Sequence, residues 1–140
     1  MKKTLLYEVP QEIFEPKVNL FGEQLLRIQY ERDHDRKVRA GIFFHAVAAT
    51  KIRDTGLCGD LVENKTLPNA LYEIEHSPWK QAVLAEYPDA AYRERKHHYL
   101  FWAYDWAYEF LSDAWQLLPE RDGWETDEWF GDWHRLRWSR

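Results

Sequence analysis

Cysteine is almost missing from this sequence: Cys58 is the only one in 140 residues. That excludes an internal disulfide, and a lone thiol fits a reducing compartment. Glycine and proline are sparse, six of each, which excludes collagen-like and low-complexity classes. There is no glycine-rich phosphate loop, Walker pattern or nucleophile elbow, and no His-x3-His, Cys-x2-Cys or His-Glu-x2-His spacing for a metal. No run reaches the roughly 18 apolar residues of a membrane span. The longest quiet stretch, 40–50, has His45 in its interior. Met1-Lys2-Lys3 begins like the basic end of a secretion signal, but Glu8, Pro10 and Glu12 interrupt the apolar core such a signal needs. The expectation is a cytoplasmic protein without membrane contact, metal or cofactor.

An excess of positive charge is also lacking. The net charge is −5, whereas nucleic-acid binding wants a basic footprint. The charge is unevenly spread: residues 1–53 carry +3, 54–119 carry −6, 120–132 carry −5, and the last eight residues return +3. Such asymmetry can steer an oppositely charged partner. What the chain has in abundance is aromatic weight, with eight Trp, eight Tyr and seven Phe. Its length suits a single domain over 1–140 that buries roughly two thirds of its unfolded surface.

Local patterns place the elements. Pro10 and Pro16 forbid a helix over 4–21 and leave extended pieces near Leu5–Val9 and Lys17–Phe21. Leu26, Ile28 and Tyr30 alternate with Arg27, Gln29 and Glu31, which predicts a half-buried strand. A polar turn at 32–36 leads into Val38–Arg53, read as one strand in a hairpin with the first; its alanines make helix the competing assignment. Residues 54–69 read as a loop and Ala70–Glu75 as a strand. Ser77-Pro78 is a helix start, Ser as N-cap and Pro at the first helical position. The helix should run to about Tyr87 with Val83, Leu84 and Tyr87 inward, followed by a short helix over Asp89–Glu94. The segment 97–118 fits an aromatic hairpin turning near Asp105, and also a helical stripe. Five aromatics in the nine residues from Tyr99 to Ala107 favour strands. Residues 119–140 form a Trp-rich C-terminal extension with Trp124, Trp129, Trp133 and Trp138. The pattern as a whole predicts an α+β domain: a curved, mostly antiparallel sheet with one or two helices packed on it.

Three patches, Phe43-Phe44-His45-Ala46-Val47-Ala48-Ala49, Leu71-Tyr72-Glu73-Ile74-Glu75-His76-Ser77-Pro78-Trp79 and His98-Tyr99-Leu100-Phe101-Trp102 on to Phe110, together resemble a group of small uncharacterised bacterial α+β proteins. Their pattern is a strand with a Phe–Val–Ala-type run, a Tyr-Glu-Val-Glu-x-Ser-x-Trp block opening a helix, and a late strand–Asp turn–strand containing Phe-Glu. The resemblance spans about residues 25–118. The turn here reads Tyr104-Asp105-Trp106 where the group has His-Asp and a small residue. Some members sit in toxin–immunity gene sets, so the resemblance implies an immunity or interaction role and supplies no catalytic residues.

Chemistry-bearing residues are few. His97 and His98, adjacent on a strand, point to opposite faces and cannot chelate one metal. Glu73 and Glu75 share a strand face at roughly 7 Å, a spacing that also occurs on ordinary solvated strands. Cys58 lies in Gly56-Leu57-Cys58-Gly59 with no nucleophile motif around it. His45 in an apolar strand reads as a core histidine. No His–carboxylate pair stands at a fixed local spacing. The strongest interaction signal is tryptophan, which carries binding hot spots because it buries much area and keeps a polar handle. The Trp-rich tail serves either as that interface or as a cover for the sheet. The leading expectation is a non-enzymatic interaction protein of immunity or antitoxin type, whose partner is a toxin domain with a basic surface. The residues expected to meet it are Glu73, Glu75, Asp105, Glu109, Asp127, Glu128, Trp129 and Trp133. The alternative is a small-ligand-binding protein or enzyme with a pocket between helix and aromatic hairpin, using His45, His98 or Glu109.

Overall fold

A computed structural model describes residues 2–9, 14–21, 25–33, 38–62, 67–117 and 121–122, with side-chain surroundings for 2–9, 41–62 and 67–117. In chain order the elements are β1 (Lys2–Glu8), β2 (Phe14–Phe21), β3 (Leu25–Asp33), β4 (Val38–His45), β5 (Ala49–Asp54), β6 (Ala70–Glu75), α1 (Pro78–Leu84), α2 (Ala90–Arg95), β7 (His97–Ala103), β8 (Trp106–Ser112), β9 (Ala114–Leu117) and β10 (Arg121–Asp122). The fold is α+β, as the alternation and the single strong helix cap predict. The strands form two antiparallel sheets. One runs β1-β6-β7-β8-β5; the other runs β10-β4-β3-β2, with β9 also pairing with β4.

Strand parity explains the layering. Leu71 of β6, Tyr99 and Phe101 of β7, and Tyr108 and Phe110 of β8 meet Ile42 and Phe44 of β4 in one buried cluster between the sheets. Within it the Phe44 and Phe110 rings lie 4.3 Å apart between centroids, close enough for a favourable aromatic pair. The opposite face of the first sheet carries Tyr72, Ile74, Leu100, Trp102 and Ala107, covered by Cys58 and Leu61. α1 packs on this second face, where Trp79 meets the His98 ring edge-on at 4.9 Å. Strands β7 and β8 are thus covered on both sides, and their residues are buried almost without interruption from His98 to Ser112, apart from the turn.

The expected aromatic hairpin is therefore present over 97–112, with a two-residue loop of Tyr104 and Asp105 between Ala103 and Trp106, whereas 114–117 leave it to pair with β4 as β9. The extended pieces near Leu5–Val9 and Lys17–Phe21 fall in β1 and β2, and the β3–β4 hairpin forms across the polar turn. Two expectations are corrected. Val38–Arg53 is not one strand. The chain breaks at Ala46, whose φ is 52°, so β4 joins one sheet and β5 the other. The buried Lys96 ammonium fixes this break by donating to Ala46 O at 2.6 Å and to Asp113 Oδ1 at 2.8 Å. Second, only Leu84 of α1 is buried, while Val83 and Tyr87 are exposed. A helix of seven residues has two turns, so one residue stripe reaches the sheet. Cys58 lies in the expected loop, with its side chain packed into the core and 1% exposed. Among the described residues no helix is long and apolar enough to cross a membrane.

Candidate functional site

Two of the three quoted sequence patches converge on one buried polar chain. The β7–β8 register sets His98 opposite Leu111 and Leu100 opposite Glu109. His98 and Glu109 are thus diagonal neighbours on one face, and His98 Nε2 lies 2.9 Å from Glu109 Oε1. On the other side of the ring, Ile74 pairs with His98 across β6–β7. Just beyond, His76 adopts φ 54°, and the chain turns into α1. That turn brings Ser77 Oγ to 2.6 Å from His98 Nδ1. Ser77 also caps α1, its Oγ accepting from the Lys80 N–H at 3.0 Å. With the imidazole neutral, the proton order follows. Lys80 N–H donates to Ser77 Oγ, the Ser77 hydroxyl donates to Nδ1, and Nε2–H donates to Glu109. Ser77, His98 and Glu109 are 3%, 2% and 0% exposed.

The Glu109 carboxylate does not lie uncompensated. Its Oε2 accepts from Arg53 Nε at 3.1 Å and stands 3.7 Å from Lys51 Nζ. Arg53 in turn forks onto Asp60, with Nη1–Oδ1 at 2.9 Å and Nη2–Oδ2 at 3.2 Å. Burial works against the Arg53 charge, but Asp60 and Glu109 outweigh it and hold its pKa above the ordinary value. Burial likewise works against the Asp60 charge, and the Arg53 hydrogen bond overcomes it and lowers the Asp60 pKa. Nearby, burial raises the Cys58 thiol in spite of Arg53. Lys51 Nζ also sits 4.5 Å from the centre of the Trp79 ring, so cation, indole and relay form one packed group.

Ser77 and His98 are not sealed off. They line a cleft of about 390 Å³ where β6 ends and β7 begins, together with Glu73, Glu75, Lys80 and His97. Glu73 Oε2 is 3.1 Å from His97 Nδ1, and Glu75 takes a hydrogen bond from Thr4 Oγ1 at 3.2 Å. Among the described residues no group of three or more His, Cys, Asp or Glu is placed to hold a metal.

The other end of the β7–β8 hairpin has a different character. Tyr104 and Trp106 are 51% and 48% exposed, and Asp105 between them is exposed as well. Tyr104 takes φ 54°. Its N–H donates to Asn69 Oδ1 at 2.8 Å, and Asp105 O accepts from Thr55 N–H at 2.8 Å. Exposed Asp54 pairs with Trp106 across β5–β8. The tip is thus an aromatic pair set among carboxylates and tied down by backbone hydrogen bonds.

The acidic residues expected to form one surface are scattered. Glu73 and Glu75 border the cleft, whereas Asp105 lies at the tip, about six strand residues or roughly 20 Å away. Glu109 cannot reach a partner from the surface, because it is wholly buried under Arg53 and His98. Asp127, Glu128, Trp129 and Trp133 lie outside the described residues. His97 and His98 do point to opposite faces, one toward Glu73 and one toward Glu109. No His–carboxylate pair stands at a fixed local spacing in the sequence; His98 and Glu109, eleven residues apart, are brought together by the hairpin. Ser77 was legible only as a helix cap. The signal for the pair was the turn itself: a two-residue loop at 104–105 fixes which residues face each other across the hairpin.

No family model, no curated protein and no solved structure matches the chain.

Proposed function

We propose that this chain is a protein-interaction module of immunity or antitoxin type, which docks a basic surface of its partner through the β7–β8 tip. The observation that carries the reading is Tyr104. A bulky residue at positive φ is unfavourable by about 1–2 kcal/mol relative to glycine, and glycine is the usual first residue of a two-residue turn of this kind. Here the position holds a half-exposed tyrosine. Strain kept at an exposed position is typical of functional surfaces. Trp106 adds a second aromatic ring, and Tyr and Trp are the residue types that dominate interface energetics. Asp54 and Asp105 supply the charge that accelerates encounter with a basic patch, while the rings lengthen residence. A toxin surface that otherwise binds nucleic acid has the matching charge, and covering it would inhibit the toxin by occlusion.

The test is capture of a partner on the immobilised protein at low salt and at about 0.5 M salt, where surface charges are screened over a few ångströms. The expected partner is basic, binds stoichiometrically and is weakened by salt. Trp106→Ala should reduce its affinity by about 2 kcal/mol or more. A captured partner that binds Trp106→Ala as tightly as wild type, with no salt dependence, contradicts the proposal.

A further inference from the structure

We propose that Ser77 is a nucleophile, with His98 as its general base and Glu109 as the residue that orients His98, and that the adjoining cleft accepts a small uncharged carboxylic ester. This departs from the non-enzymatic reading of the sequence and does not depend on the hairpin tip.

The geometry is that of an activated hydroxyl. Nucleophile and base stand 2.6 Å apart, base and orienting carboxylate 2.9 Å, which is the spatial relation that defines such relays whatever their order in the chain. All three residues are at least nine-tenths buried, so the relay is shielded from water. It nevertheless borders the cleft of about 390 Å³ through both Ser77 and His98. The Glu109 charge is held in place by Arg53 at 3.1 Å, so it is available to stabilise an imidazolium. A helix cap alone needs only the hydroxyl; it does not need a buried imidazole behind it and a buried carboxylate behind that.

The chemistry balances without a cofactor. Ser77 Oγ forms a bond to the ester carbonyl carbon as its proton passes to His98 Nδ1. The ester C–O bond then breaks, and the proton moves from Nδ1 to the leaving alkoxide, releasing an alcohol. Water attacks the acyl-serine, gives its proton to His98, and releases the carboxylic acid while Ser77 regains its hydrogen. Pro78 follows the nucleophile and has no N–H, so the next residue contributes no oxyanion donor. Lys80 and Gln81, which line the same cleft, are assigned that task. The cleft is lined by Glu73 and Glu75 and also by Lys80 and Lys96, a balanced set of charges that suits an uncharged ester, and its volume of about 390 Å³ accommodates a small one.

The test uses the full chain and a small fluorophosphonate, which transfers its phosphorus to an activated serine with loss of fluoride. Intact mass followed by peptide mapping should find a single adduct, on Ser77. The adduct should be missing in Ser77→Ala, and His98→Gln should slow its formation by about 100-fold or more. Hydrolysis of p-nitrophenyl acetate should fall in parallel. Wild-type protein that stays unlabelled, or is labelled elsewhere, overturns the proposal; that result needs no variant and is immune to folding defects. Labelling of Ser77 that persists at the wild-type rate in a His98→Gln protein with the wild-type circular dichroism spectrum overturns it equally.

Discussion

At Glu109 one carboxylate serves His98, Arg53 and Lys51 at once. Removing a buried carboxylate leaves the cations around it short of a counter-charge, a loss of about 3–5 kcal/mol where no other partner remains and less here, because Arg53 keeps Asp60. Glu109→Ala should therefore be destabilised by about 2–4 kcal/mol in urea unfolding, with Glu109→Gln less affected, since its amide oxygen can still accept from Nε2–H. Cys58 makes a second residue-level prediction. It is buried, and its thiol is pushed above its ordinary value by that burial. Iodoacetamide should leave it unmodified in the native protein at neutral pH and alkylate it fully in denaturant. Asp60 sets a sign for acid. Arg53 lowers its pKa below the ordinary 3.8, so its contribution is present above that value and is lost as pH falls through the folded pKa. The Asp60 side chain is half exposed, so Asp60→Asn should flatten the acid limb of the stability curve only slightly.

Among the elements, β3, β6 and α1 were plain in the sequence because each has a local cause. Alternating Leu26, Ile28 and Tyr30 writes a strand, present as β3, and Ser77-Pro78 writes a helix start, which Ser77 Oγ confirms by accepting from Lys80 N–H. The break between β4 and β5 was not legible. The period-two pattern runs through Ala46 unchanged, and what splits it is tertiary: Lys96, fifty residues on, takes the freed Ala46 carbonyl. The ambiguity of 97–112 also has a physical source. Those strands are buried on both faces, so no polar alternation marks them, and a doubly buried strand resembles a buried helix in sequence. The candidate relay was hidden for a related reason. Ser77, His98 and Glu109 belong to three elements, and their meeting depends on the β6–β7 and β7–β8 registers, which no local motif records. An element-scale prediction follows from the positive φ at Ala46: Ala46→Gly should be neutral or stabilising by up to about 1 kcal/mol, measured as the change in unfolding free energy.

For the whole molecule, the central layer is a five-stranded sheet with a second sheet on one face and α1 with the 54–62 segment on the other. This arrangement buries phenols as well as hydrocarbons. Burial raises the pKa values of Tyr72, Tyr99 and Tyr108 above the ordinary 10.0. The unfolded chain therefore gives up these protons first as pH rises. Their contribution to stability is intact below about 10 and is lost above it. Thermal melts should show a falling midpoint on the alkaline side, with the tyrosinate absorbance of these residues appearing only as the fold is lost. The same architecture keeps two sites apart. The polar cleft lies at one end of the central hairpin and the aromatic tip at the other, so substitutions at the tip should leave the cleft intact.

Tyr104→Gly brings the interaction reading to its most direct test, because fold and binding should respond in opposite directions. Glycine relieves the positive-φ strain but removes one of the two rings offered to a partner. Thermal unfolding and partner affinity, measured side by side on wild type and this variant, should show stability unchanged or raised by up to about 1 kcal/mol and binding weakened by about tenfold or more. Unchanged affinity together with a loss of stability would mean that Tyr104 serves the fold and not a partner, and would contradict the account.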